Sequence, residues 1–103
     1  MSDLRRLFIV TDDGIHLGRA SRHKELAEKS GIEERRITFG GGAHEQKDSH
    51  FILFGESYDY GRFASDIVKM HIENKAVYWF KHKYEDFTLE IDESREEKES
   101  DKF

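Results

Sequence analysis

Cysteine and proline are both absent from the 103 residues. Without cysteine there is no disulfide, no thiolate zinc site, no iron–sulfur cluster and no cysteine nucleophile, and the composition suits a reducing compartment, so a cytoplasmic location is expected. Long apolar runs are missing too. None approaches the ~20 residues of a membrane-spanning helix, and the opening Met1-Ser2-Asp3-Leu4-Arg5-Arg6 has no apolar stretch ending in small residues, so no membrane partner is expected. A surplus of positive charge is the third absence. The net charge is −5; residues 92–103 alone hold six acidic and three basic residues, which leaves the remainder nearly balanced. Such a body lacks the cation excess on which counterion release depends, and duplex nucleic acid is not an expected partner.

What the chain does have is 38% charged and 13% aromatic residues, eight of them Phe. Packing groups at that density oppose disorder, and the length allows one core. Leu7-Phe8-Ile9-Val10 is short, continuous and rich in β-formers, and it stops at Asp12-Asp13-Gly14: an interior strand ending in a turn. Ser21 as N-cap and Gly31 as stop predict a helix over 22–30, with Leu26 and Ala27 inward. Ile37-Thr38-Phe39 leading into Gly40-Gly41-Gly42, followed by His50-Phe51-Ile52-Leu53-Phe54, reads as a hairpin. A second helix is predicted over 62–74, burying Phe63, Ile67, Met70 and His71 together with Ala64, Val68 and Ile72. Val77 and Trp79, then Phe87, Leu89 and Ile91, suggest a closing hairpin. The expected architecture is a single α+β domain over residues 1–91, a mixed sheet with two packed helices, followed by an acidic, fraying tail over 92–103.

Three segments stand out: Arg19-Ala20-Ser21-Arg22-His23, Phe39-Gly40-Gly41-Gly42-Ala43-His44 and Phe54-Gly55-Glu56-Ser57-Tyr58-Asp59-Tyr60-Gly61. By spacing alone, His23 shares a helical face with Ala20, Leu26 and Ala27 and reads as a half-buried packing residue. Ser57 reads as a turn or capping residue, and the triple glycine as a bulge or tight turn needing positive φ. Taken in order, however, a histidine in an early helix, GGG entering a hairpin, and strand–G-x-S-x-x-[YF]-G–helix resemble the Janus/Ocnus proteins, the protein phosphohistidine phosphatases, over residues 7–72. The resemblance implies a phosphohistidine phosphatase-like fold and cofactor-independent hydrolysis of phosphoramidate bonds, with a phosphorylated protein or small phospho-compound as partner. It makes His23 the catalytic base or phosphoryl acceptor. Backbone N–H groups around Ser57, Tyr58 and Asp59, with Gly41, would then cradle the anion, helped by the cations Arg19 and Arg6. A loop feeding a helix offers free N–H groups and the positive end of the dipole, and Arg22 and Lys24 beside His23 would keep the imidazole neutral.

The sequence also departs from the family. Ala43 stands where the family usually has Arg after the triple glycine, and the candidate anion loop carries Glu56 and Asp59, both of which repel phosphate. The family's long linker before the helix is cut to residues 11–20, leaving Arg19 as a substitute for its basic residue, and the Lys of the first strand is answered by Arg5 or Arg6. These departures support an alternative: a non-catalytic module on the same fold that binds a small ligand or a protein through Glu56, Asp59, Arg19 and Arg22. A structural protein docking through its aromatic hairpin is a third reading. His44 and His50 are expected at the surface, across the hairpin from each other, and no metal pattern is present.

Overall fold

A strand made of Leu7-Phe8-Ile9-Val10 needs apolar cover on both faces. The structure, a computed structural model that describes residues 4–80 and 82–92, supplies it. All four side chains are fully buried, as the last four residues of strand β1 (Arg5–Val10). Leu7 and Ile9 join Leu26 and Ala27 of helix α1 (His23–Lys29), while Phe8 and Val10 join Val68 of helix α2 (Ser65–Glu73). The two-residue period of the strand thus divides the core into two layers, one under each helix. The result is the expected single α+β domain.

On one side β1 pairs antiparallel with β2 (Ile15–Ala20), and on the other with β3 (Gly41–Lys47). β3 turns back through Asp48, at φ 56°, into β4 (His50–Phe54). Past the end of β4, β5 (Glu56–Ser57) and β6 (Gly61–Arg62) form a narrow hairpin, with β6 lying parallel to β3 at Gly41. Beyond β2 come β7 (Val77–Trp79), parallel to it, and β8 (His82–Lys83); β9 (Thr88–Ile91) runs parallel to β4 at the other side of the sheet.

Several expectations are corrected. Residues 11–20 are a turn and a full strand, not a linker: Ile15-His16-Leu17-Gly18-Arg19-Ala20 has no strong β pattern, but it pairs residue for residue with β1. The first arm of the hairpin is β3 and not residues 37–39, because a single turn of 3-10 helix, Glu34–Arg36, precedes it. Arg22, not Ser21, is the N-cap of α1; Ser21 instead donates its N–H (2.8 Å) and hydroxyl (3.2 Å) to the Glu25 carboxylate. α2 starts at Ser65, leaving Phe63 to pack before the helix, and Met70 points to solvent. The closing strands are not a hairpin. The Tyr84 ring packs edge-on against Phe51 and Phe87, carrying the chain across to β4. Of the expected acidic tail only Asp92 is described, its N–H donating to the Leu53 carbonyl at 2.8 Å; the rest lies outside the described residues.

His44 is buried, not at the surface, and it pairs with Leu53 while His50 pairs with Lys47. Its Nδ1–H donates to the Leu7 carbonyl at 3.2 Å, so the imidazole bridges to β1 instead of meeting a ligand.

The triple glycine is a matter of close approach as much as of turning. Gly40 has φ 76°, whereas Gly42 lies within β3, where an added Cβ would sit 2.4 Å from the Phe54 carbonyl oxygen and 3.0 Å from the Phe8 ring. Gly42→Ala is therefore expected to cost about 1–3 kcal/mol by overpacking, read as a lower urea midpoint at unchanged slope. An unaltered midpoint would mean that β4 yields without cost.

Candidate functional site

α1 begins with His23, which turns inward to the sheet: its side chain is 2% exposed and Nε2–H donates to the Gly42 carbonyl at 2.7 Å. That bond assigns the proton of the neutral ring to Nε2 and leaves Nδ1 as the basic nitrogen. Burial pushes the pKa below its ordinary value, against the opposing pull of the Gly42 carbonyl and the nearby Asp59 carboxylate. The imidazole is neutral as expected, but for a different reason, since desolvation is the leading cause and the charges of Arg22 and Lys24 are not.

Residues 57–59 do not feed a helix. Ser57 ends β5, Tyr58, Asp59 and Tyr60 form the turn to β6, and α2 starts only at Ser65, so its dipole does not serve that turn. Ser57 is buried and its Oγ accepts the Tyr60 N–H at 3.0 Å, a local turn bond. Tyr58, at the tip, is 80% exposed. Asp59 reaches across to α1: its carboxylate accepts from Arg22 Nη2 at 2.7 Å and from the Lys24 N–H at 3.2 Å, the residues either side of His23. Tyr60 OH donates to Glu34 Oε1 at 2.8 Å, and Arg62 donates to the Gly55 carbonyl at 3.1 Å. A Cβ on Gly41 would sit 2.4 Å from the Phe8 carbonyl oxygen, a clash with β1, and 3.4 Å from the His23 ring, so the ring lies beside the bare backbone of β3.

His23, Gly41, Ser57 and Asp59 are thus brought together, with Tyr58 at the rim. Arg6 and Arg19 are not. They face each other in register, and alternation with Phe8 and Leu17 puts both on the α2 side of the sheet, away from His23. Arg5, by the same alternation, shares the side of Leu7 and Ile9, the side of α1. Ala43 is 1% exposed in the core under α1, so the family's arginine has no room here without burying a guanidinium.

A polar cluster at the β1–β2 turn escaped the sequence reading. His16 Nε2–H donates to Asp13 at 3.3 Å and stacks on Tyr78, Thr11 donates to the same carboxylate, Arg36 reaches Asp13 at 2.7 Å, and His71 donates to the Thr11 carbonyl at 2.8 Å. Partial burial favours the neutral acid at Asp13, but bonds from Thr11, Arg36 and His16 outweigh it and hold the carboxyl well below the usual range. Thr11 is wholly buried, so the cluster ties the turn to the 3-10 turn and α2; it presents no nucleophile. The only sequence signal was the run Thr11-Asp12-Asp13-Gly14, which reads simply as a turn. Among the described residues no group of three His, Asp or Glu is placed to hold a metal ion. An open hollow of about 440 Å³, lined in part by Trp79, Tyr84, Gln46 and Lys83, does not include His23.

Comparison of the chain with family models, with curated proteins and with solved structures gave no match. The geometry of the site therefore carries the functional reading.

His16, His23 and His44 all have pKa values lowered chiefly by burial, that of His44 to about 3. In the unfolded chain each titrates near 6.5. Below that pH the unfolded state binds more protons, so stability present above about 6.5 is lost as pH falls toward the folded values. The melting temperature should be level from about pH 8 to 7 and fall steadily from about 6.5 to 5, with a shallower slope in His44→Phe. A melting temperature independent of pH over that window would contradict neutral burial of these rings.

Proposed function

We propose that this protein is a phosphohistidine phosphatase-like hydrolase that cleaves phosphoramidate bonds without a cofactor, with His23 as the reacting group. One observation carries the reading: the three motif segments, far apart in sequence, meet through side-chain bonds, His23 to Gly42 and Asp59 to Arg22 and Lys24. In this reading Nδ1 of His23 takes the proton of the attacking water, the turn's N–H groups hold phosphoryl oxygens, and the amine departs with its proton as the P–N bond breaks. The substrate is a phosphorylated protein or a small phospho-compound, and the cysteine-free chain suits the cytoplasm. No described helix is long and apolar enough to cross a membrane.

A second reading is favoured by the Asp59 contact with Arg22. A carboxylate already pairs the Arg22 guanidinium beside His23, as expected of a module that binds a ligand other than phosphate.

Hydrolysis of phospholysine or phosphohistidine, followed by ³¹P NMR, separates the two. His23→Ala should abolish turnover with the fold intact, whereas Ser57→Ala should lower it less than about tenfold, because main-chain donors do the holding. Since the base is active when neutral and burial lowers its pKa, kcat/KM should stay level as pH falls through 6.5 and drop only below it. Absence of hydrolysis, together with unmoved amide signals of residues 57–61 in millimolar phosphate, would leave the binding module as the reading.

A further inference from the structure

The side chain proposed to do the chemistry is 2% exposed, and a base that must meet water and phosphorus has to be uncovered. The β5–β6 hairpin lies beside it. β6 pairs with β3 at Gly41, the residue beside which the His23 ring lies, and the Asp59 carboxylate closes over the start of α1 by bonding both neighbours of His23. The main-chain anchorage of this hairpin is short, and the rest of its hold is packing, with Ser57 buried, β5 against β3 and Tyr60 on the core cluster under α1. Its strands are two residues each, their link to β3 is the single pairing of Gly41 with Arg62, and its tip, Tyr58, points to solvent. The segment is bounded by Gly55 at φ 75° and Gly61 at φ 83°. Such angles suit glycine and are strained for other residues, and residues of this kind absorb the backbone change when a segment swings. Arg62, bonded to the Gly55 carbonyl, ties the two ends into one base.

We propose that residues 55–61 form a lid over His23, hinged at Gly55 and Gly61 and latched by Asp59 on Arg22 and Lys24 and by Tyr60 on Glu34. The proposal rests on the phosphatase reading only in making His23 the group to be reached. Contacts with exposed partners, such as these, are worth up to about fivefold each in an equilibrium, so the two latches add to the packing of Ser57 and Tyr60 without locking the lid. Opening uncovers Nδ1 and at the same time releases the Arg22 guanidinium from Asp59, freeing a planar fork suited to phosphoryl oxygens.

The rate at which diethyl pyrocarbonate carbethoxylates His23 in the full chain, followed by peptide mass spectrometry, reports opening without any need for turnover. Asp59→Asn and Tyr60→Phe should each raise that rate about two- to fivefold, and together by roughly the product. Arg22→Gln breaks the first latch from its other side and should match Asp59→Asn. His44, buried in the core, is the internal control: a rise at both histidines marks general loosening and counts against the lid. An unchanged His23 rate in the double variant and in Arg22→Gln overturns the lid even if the protein hydrolyses phosphoramidates. A faster His23 rate with no hydrolysis by any variant keeps the lid and discards the phosphatase reading.

Discussion

Everything in this fold is referred to one constraint, the complete burial of four consecutive residues of β1, Leu7 to Val10, on both faces of the sheet. A strand so placed must have a partner on each side and a helix on each face, because its main-chain groups cannot reach water and its side chains alternate. β2 and β3 fill the edges, and α1 and α2 fill the faces. The candidate site follows from the same constraint. β3 comes so close to β1 that Gly41 faces the Phe8 carbonyl with no space for a side chain, and the bare backbone it presents is where the His23 ring lies.

Histidine has an unusual part in holding the layers together. His23, His44 and His71 each donate one ring N–H to a main-chain carbonyl, of Gly42, Leu7 and Thr11 respectively, on β1, β3 or the turn that follows β1. At His23 and His44 a neutral imidazole can do this deep in a core where lysine or arginine could not, since its charge is given up easily on burial. Acid sensitivity is the corollary. For His23 the same burial sets the protonation state that a general base requires, so a structural device and a chemical one coincide in a single ring.

Much of the fold was legible in the chain. Continuous apolar runs named β1 and β4, a 3.6-residue pattern named α2, and the absence of cysteine excluded whole classes of site. β2 was hidden because its residues carry no β-branched run, and its strand character comes from pairing with β1. β9 was visible as a strand but not in its place, since only the packing of Tyr84 on Phe51 sends the chain across to β4 instead of back along β7. Among the candidate site residues, His23, Gly41, Ser57 and Asp59 converge in space. Arg6 and Arg19 fail for a reason invisible without register: one residue of alternation turns them to the other face.

The sequence by itself determined that one core forms from short apolar strands and two helices, and that three polar segments interrupt it in a fixed order. These are local properties, set by side-chain pattern and backbone preference over a few residues. Only the tertiary structure decided which side of each strand faces which helix, that His23 is neutral through burial and not through neighbouring charge, and that Asp59 lies against Arg22. Those outcomes depend on distances between residues remote in the chain, where a half-turn of strand register or a few ångströms of desolvation changes the answer, and such distances exist only once the chain has closed on itself.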